Sequence, residues 1–224
     1  EEGNAEFNKG DFVAIRGISG IGKSTLMKML LGVFKADEGT IRLYENNGKY
    51  VDASPSTRSL LSYVPQGNYL FSGTLRDNIK LINPYAKDED IHKALVISSI
   101  DDFVETLPDG LDTVLGEKGT GVSEGQAQRL AIARAIVSDA PIILLDEATS
   151  FLDVENESKI QKALSELIKN KTVIIIAHRT RRIANADKIV VLEEGKIVEQ
   201  GAHDELLEKG DLCKKMVDLQ NLSG

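Results

Sequence analysis

The segment from Gly17 to Thr25 has the residue types and the spacing that bind phosphate groups. Its sequence, Gly-Ile-Ser-Gly-Ile-Gly-Lys-Ser-Thr, matches the pattern G-x-x-x-x-G-K-[ST] between a strand pattern and a helical pattern. The glycines let backbone N–H groups face phosphate oxygens, Lys23 can reach the β- and γ-phosphates, and the Ser24 hydroxyl can bind Mg²⁺. A chance match in a chain of this length has a probability of about 0.01 at average composition. We therefore predict a phosphate loop with the binding residues Gly17, Ser19, Gly20, Gly22, Lys23, Ser24 and Thr25.

The apolar run 142–145 ends in two carboxylates, Asp146 and Glu147. Such a run fits a strand that is buried on both faces, and its C-terminal end would place Asp146 beside the phosphate loop. Asp146 suits the ligand shell of Mg²⁺, usually through water, and Glu147 is then placed to polarise the attacking water. On its own, an apolar strand with an acidic end would indicate only a solvated turn. The phosphate loop makes the catalytic interpretation the better one.

Ser123 precedes a helical pattern that continues to Ile136. A serine can cap the first turn of a helix, and the partial positive charge of the helix N-terminus attracts anions. An ordinary capped helix is the better interpretation of this segment when it is considered alone. Its position changes that interpretation, because Gln126 lies twenty residues before Asp146.

Together these segments resemble the motifs of the ABC ATPase family. The phosphate loop resembles the Walker A motif of that family, the pair 146–147 the end of Walker B, and the segment 123–126 the signature motif. Three further resemblances are a Q-loop glutamine at Gln66, a D-loop at 150–153 and a switch histidine at His178. Six motifs in the order and spacing of the family make the resemblance specific, and it covers almost the whole chain.

The resemblance implies a role for each matched residue and names ATP and Mg²⁺ as cofactors. The implied catalytic residues are Glu147, His178 and Gln66. The implied metal ligands are Ser24, Gln66 and Asp146. The implied nucleotide contacts outside the phosphate loop are Ser123, Gly125, Gln126 and Asp153. Two copies would bind head to tail, each ATP lying between the phosphate loop of one copy and the signature segment of the other, and hydrolysis would give ADP and phosphate.

Two departures from the family pattern affect these expectations. Glu124 replaces the first signature glycine, and its carboxylate would repel a γ-phosphate unless it points away. Ser123 and Gly125, which make the direct contacts by resemblance, are retained, so we expect function to persist. In the family, a strand with an adenine-stacking aromatic ring precedes the region where this chain begins. We therefore expect no aromatic side chain of these 224 residues to stack on the adenine.

Two segments resemble exporter-type members of the family. Residues 70–79 resemble the stretch after the Q-loop, and Thr113 to Gly119 resembles the X-loop, which contacts the coupling helices of the membrane domain in exporters. The resemblance implies two partners, a second ABC ATPase domain and the transmembrane domain of the same transporter. The transmembrane domain would be contacted through the Gln66 region and Thr113–Gly119, at the cytoplasmic face of a membrane. The second ATPase domain would be either identical to this one or a paralogue.

The net charge and two individual residues favour the transporter interpretation over two alternatives. A non-transport ABC ATPase that remodels nucleic acid would usually be basic, whereas this chain has a net charge of −8, so no nucleic acid is expected. A degenerate regulatory nucleotide-binding domain would not need Glu147 and His178, and both are present.

Cys213 is the single cysteine, which excludes an intrachain disulfide. No apolar run approaches the ~20 residues of a membrane-spanning helix, so we expect another region to supply the membrane anchor.

The apolar runs 12–15, 142–145 and 172–176 alternate with helical patterns and predict an α/β P-loop NTPase core with a mostly parallel sheet. Asn47-Gly48 and Glu194-Gly195 predict hairpins, the first within an antiparallel β element whose N-terminal part precedes this chain. Residues 74–137 and 154–168 are predicted to be mostly helical. We expect one ABC ATPase domain, with a core at about 1–69 and 139–224, a helical lobe at about 70–138, and the membrane domain outside this chain.

Overall fold

The computed structural model describes residues 4–18, 20–67, 70–115, 121–146, 171–177 and 185–209. These residues fall into two compact units, and the chain passes between them at 62/63 and 140/141. The first unit contains the described residues before 63 and after 140, and the second contains those from 63 to 140. The predicted helix 154–168 lies outside the described residues. Among the described residues, we find no helix with the length and the apolar character of a membrane span.

The strands and helices alternate along the chain. The described strands are β1 Phe12–Arg16, β2 Arg42–Tyr44, β3 Tyr50–Asp52, β4 Leu61–Val64, β5 Gly73–Thr74, β6 Val114–Leu115, β7 Ile142–Asp146, β8 Thr172–Ile176, β9 Lys188–Glu193 and β10 Lys196–Gly201. The described α-helices are α1 Lys23–Leu30, α2 Leu75–Lys80, α3 Asp88–Ile97, α4 Asp101–Glu105, α5 Glu124–Val137 and α6 His203–Lys209. Short 3₁₀ helices cover Pro55–Leu60 and Gly110–Asp112.

Six strands form the main sheet, in the order β10-β9-β1-β8-β7-β4. β1 pairs in parallel with β8 and β9, β7 pairs in parallel with β8, and β10 closes a hairpin with β9. Every residue of β1 and β8 is buried, which is why these strands are continuous apolar runs rather than alternating ones. The predicted α/β class with a mostly parallel sheet is confirmed.

The predicted hairpin at Asn47-Gly48 is confirmed as the antiparallel pair β2–β3. Tyr44 and Tyr50 face each other across it with ring centroids 5.5 Å apart, and the Arg42 guanidinium lies 4.4 Å from the Tyr50 ring centroid. Such cross-strand aromatic and cation–π contacts stabilise a two-stranded sheet, which is marginal by itself.

The second unit has its own hydrophobic core. Its helices bury one apolar cluster: Leu75, Ile79, Ala86, Ile91, Ala94, Leu95, Ile100, Val104, Leu111, Leu115, Leu130, Ala133 and Val137. At the surface, the Arg76 guanidinium donates to Asp112 at 2.8 Å and to Asp88 at 2.7 Å, and so joins three segments of the unit. The short pairing of β5 with β6 is a feature that the mostly helical prediction for 74–137 missed. Two-residue strands have no periodic pattern by which a sequence could reveal them.

The C-terminus of α1 is fixed by the segment that begins at Ser54. Arg58 donates from Nε to the carbonyl of Leu31 at 2.9 Å and from Nη2 to that of Gly32 at 3.2 Å, so two carbonyl groups at this helix end are satisfied. Gly32 has a φ of +61°, and a Cβ added there would lie 2.3 Å from the carbonyl carbon of Ser54. Glycine is therefore required at position 32 both by its backbone conformation and by the lack of space.

We expect Gly32→Ala to lower the free energy of unfolding by roughly 2–4 kcal/mol, because left-handed backbone strain and an overlap with backbone atoms add together. Gly48→Ala is the matched control: Gly48 has a φ of +81° but no atom within 4 Å of the added Cβ. The control should show only the strain, about 1–2 kcal/mol. Urea unfolding of both variants measures the difference, and equal losses would contradict the role of the Ser54 contact.

Candidate functional site

The carboxyl ends of three neighbouring strands meet at one edge of the sheet. β8 lies between β1 and β7, and Ile176 is in register with Ile15 on one side and with Asp146 on the other. Ligands of parallel sheets bind at such an edge. The phosphate loop follows β1 here and Asp146 ends β7 here, as the sequence predicted. The strand that precedes His178 also lies beside the strand that precedes Glu147.

The phosphate loop begins with a close contact between two backbone segments. Gly17 directly follows β1 with a φ of +155°, and a Cβ at this position would lie 2.7 Å from the carbonyl oxygen of Leu192 in β9. No residue with a side chain fits there unless β9 moves. Gly22 forms the N-cap of α1 in a left-handed conformation. Gly20 and Thr25 are exposed, on either side of this cap.

Lys23 is the first residue of α1, and its ammonium group turns back into the loop. Its Nζ donates to the carbonyl oxygens of Gly17 and Ile18, both at 2.8 Å. Lys23 is only 5% exposed, and a buried cation is costly unless it has such partners. The loop therefore holds a positive charge at its centre, on the side of the helix N-terminus, where an anion is also favoured by the helix dipole.

Ser24 and Asp146 are brought together by the packing of α1 against β7. The Ser24 Oγ donates to the Asp146 Oδ1 at 3.1 Å, across 122 residues of sequence. Asp146 is 2% exposed, so its carboxylate lies buried at the end of its strand. A hydroxyl and a carboxylate are hard oxygen donors of the kind that Mg²⁺ takes from a protein beside substrate phosphates. Ser24 and Asp146, the predicted metal ligands of this unit, thus fit that ion.

The signature segment lies at the start of α5, in the second unit. Ser123 and Gln126 form a capping box: the Ser123 Oγ accepts from the Gln126 N–H at 3.2 Å, and the Ser123 N–H donates to the Gln126 Oε1 at 2.8 Å. Ser123 and Glu124 are exposed, and Gly125 is half-buried. Glu124 lies in the first turn, where the helix dipole favours a negative charge. The predicted N-cap role of Ser123 is confirmed.

The other predicted site residues that the structure describes are Gln66 and the start of the X-loop segment. Gln66 is exposed and lies two residues beyond the end of β4, after Pro65, in the second unit. The carbonyl of Thr113, at the start of the X-loop segment, accepts from the Leu75 N–H at 3.1 Å. Several predicted residues lie outside the described part of the chain, namely Ser19, Glu147, Asp153, His178 and the segment 116–119.

The second unit contains a groove that no sequence pattern predicted. It has a volume of about 170 Å³ and is lined mainly by apolar side chains, among them Tyr63, Phe71, Leu81 and Ile82. Arg134 of α5 also lines it, although this residue is only 9% exposed, and burial lowers the pKa of its guanidinium. The available sequence signal was a charged residue within the apolar stretch of α5.

Comparison with known proteins agrees with this site. The family model for ABC transporters matches residues 1–150. Two proteins of Staphylococcus aureus, from strains NCTC 8325 and COL, are named for multidrug export as ATP-binding/permease proteins, and each is 44% identical over 219 residues. The matches cover 98% of this chain and 38% of each relative. A solved structure of a bacterial Atm1-family ABC exporter with ATP bound is similar with a TM-score of 0.87 and 38% identity, covering 95% of this chain and 37% of that one.

The parallel sheet, the phosphate loop and the Ser24–Asp146 contact define a P-loop nucleotide-binding domain. The chain belongs to the ABC transporter family. ATP-binding domains of this family bind ATP, generally with Mg²⁺, and have ATPase activity in general. The chain spans less than two fifths of the length of the relatives that it matches.

We expect Lys23→Ala to weaken ATP binding about 10–100-fold, because it removes a charge-assisted hydrogen bond worth ~1.5–3 kcal/mol from the phosphate loop. Lys28→Ala is the matched control, since Lys28 lies in the same helix, is exposed and has its Nζ 6.0 Å from the Phe34 ring centroid. Titration calorimetry with Mg-ATP measures both affinities. Unchanged affinity in Lys23→Ala would show that phosphate does not bind at this loop.

Proposed function

We propose that this chain is the ATP-hydrolysing domain that powers export across a membrane by an ABC exporter. The observation that carries the proposal is the meeting of Lys23, Ser24 and Asp146 at one edge of the parallel sheet. A cation, a hydroxyl and a buried carboxylate at this edge are the groups that phosphoryl transfer requires for positioning and charge neutralisation. The similarity to exporters supports the coupling of this reaction to transport.

The phosphate loop and the predicted residues outside it have separate roles in the proposed reaction. Lys23 exchanges its two carbonyl partners for oxygens of the β- and γ-phosphates, while backbone N–H groups of the loop bind the same oxygens. Ser24 and Asp146 would hold Mg²⁺, which neutralises the charge that develops on the phosphates when it is bound. Glu147, directly after β7, polarises the attacking water, and His178, directly after Ala177, holds the γ-phosphate in line with it. Gln66 completes the metal and water site.

The proposed reaction requires two copies of the domain or a paralogous pair. Ser123, Gly125 and Gln126 bind the nucleotide that lies on the phosphate loop of the second copy, together with Asp153. The exposed first turn of α5 supports this role, because the partial positive charge at a helix N-terminus attracts phosphate. Closure of the dimer assembles the site, and release of phosphate opens it.

A membrane domain is the second proposed partner. The relatives are named ATP-binding/permease proteins, and this chain matches only 38% of their length. We propose that the permease part occupies the groove beside Gln66, whose exposed apolar wall includes Phe71 and Ile82, and also contacts Thr113–Gly119. A groove lined by apolar groups that are exposed to water is favourable for such a contact, because burial stabilises it by about 25 cal/mol per Å². We therefore propose a location at the cytoplasmic face of the membrane.

We expect Glu147→Gln to reduce the rate of ATP hydrolysis ~10²–10⁴-fold, the usual effect of losing a general base, while ATP still binds. With Mg-ATP this variant should accumulate a dimer, whereas the unmodified chain without nucleotide should be monomeric. Phosphate release and light scattering measure the two effects. Glu193→Gln removes an exposed carboxylate at the end of β9 and serves as the control.

The outcomes separate the proposal from its alternatives. Near-normal turnover of Glu147→Gln would exclude Glu147 as the catalytic carboxylate. ATP binding without any turnover of the unmodified protein would instead indicate a regulatory nucleotide-binding domain. Turnover that RNA stimulates would indicate a remodelling ATPase rather than an exporter.

A further inference from the structure

Arg134 joins two parts of the second unit that the proposed function uses separately. One is the segment after Gln66, which contains Phe71, and the other is α5, which begins at the signature segment. The Arg134 guanidinium donates from Nε to the Asn78 carbonyl at 2.8 Å and from Nη2 to the Asn78 Oδ1 at 3.3 Å. The same guanidinium lies 5.7 Å from the centroid of the Phe71 ring.

Asn78 extends this connection to the backbone of Phe71. Its Oδ1 accepts from the Phe71 N–H at 2.8 Å, and its Nδ2 donates to the Phe71 carbonyl at 2.8 Å and to the Thr74 carbonyl at 3.0 Å. The Asn78 side chain thus bonds both the N–H and the carbonyl of Phe71, and Arg134 bonds Asn78. Asn78 is 2% exposed, so water does not compete for these bonds.

Phe71 is a wall of the groove, and half of its surface, 52%, is exposed. It lies five residues after Gln66, and Arg134 lies eleven residues after Ser123 on one continuous helix. An α-helix of this length behaves as a rigid rod, with a rise of about 1.5 Å per residue. Phe71, Asn78 and Arg134 thus form a continuous set of contacts between the groove wall and α5.

We propose that Arg134 is a positioning residue that makes the Phe71–Asn78 segment and α5 move as one body, so that a partner in the groove controls the position of Ser123. The proposal rests on the function proposed above, in which the membrane domain occupies the groove. Arginine suits the task because its planar guanidinium can donate two bonds to Asn78 and stack on Phe71 at the same time. Lysine keeps the charge but cannot make both bonds in that geometry.

The test is a double-mutant cycle of Arg134→Lys and Phe71→Ala in the full-length protein that carries this chain with its membrane domain. Each single variant should lower kcat for ATP about fivefold or more, the usual size of coupling between sites, and leave KM for ATP unchanged. The double variant should be no slower than the slower single variant, because both changes break the same connection. Arg76→Lys is the control at an arginine of the same unit that joins other segments, and it should keep the kcat of the unmodified protein.

A second control lies outside the groove. Val96→Ala removes an exposed side chain of α3, and any effect it has should multiply with that of Arg134→Lys. Fold-changes of Phe71→Ala and Arg134→Lys that multiply in the same way would overturn the proposal. A raised KM in Arg134→Lys would also overturn it, because that result indicates a general structural role. Absence of turnover in the unmodified protein is a different result, since it refutes the proposed function rather than the task of Arg134.

Native-state hydrogen exchange of the unmodified protein tests the same idea without any substitution. The amide of Phe71 and the amides of the first turns of α5 should open with one common free energy as denaturant is added, as members of one cooperative unit. Separate opening free energies for these amides would overturn the proposal even if Arg134→Lys could not be produced in folded form.

Discussion

The parallel pairing of β1, β8 and β7 is the constraint on which the candidate site depends. The register that aligns Ile15, Ile176 and Asp146 brings the end of β7 within reach of the first turn of α1. A slip of one residue would move a strand by about 3.3 Å and would reverse the faces of its side chains. The 3.1 Å bond between Ser24 and Asp146 would not survive such a slip. The burial of these three apolar strands is therefore also what fixes the geometry of the polar groups at their ends.

In the second unit, the start of a helix is accessible while the rest of the helix is buried. α5 buries its middle in the apolar cluster of the unit, and its first turn remains exposed with Ser123. The capping box orders that turn locally, because Ser123 and Gln126 satisfy two of its amides reciprocally. Order at an exposed helix end is a requirement of any site that must bind an anion from another molecule.

The sequence predicted the elements with strong local signals, and it did so for physical reasons. Buried parallel strands are continuous apolar runs, Asn47-Gly48 fits one turn type, and the phosphate loop has a fixed spacing, so each could be recognised without knowledge of the rest. The capping role of Ser123 belongs to the same group. The connection of Arg134 through Asn78 to Phe71 could not be predicted, because it depends on which faces of α2 and α5 meet. The same holds for the β5–β6 pairing, in which Gly73 and Thr74 find partners some forty residues away. The roles of Glu147 and His178 still rest on the resemblance of the sequence.

Gly17 and Gly32 share a property with an evolutionary consequence. At each position the atom nearest to an added Cβ belongs to the backbone of a distant segment, the carbonyl of Leu192 in one case and that of Ser54 in the other. A clash with a side chain can be relieved by a second substitution that shortens the partner, but every amino acid carries the same backbone carbonyl. No suppressor at position 192 or 54 can therefore rescue a larger residue at these glycines. A lineage that loses either glycine can recover only by reversion or by a shift of a whole strand or turn. Substitutions at both positions should therefore be rare in the evolution of this domain.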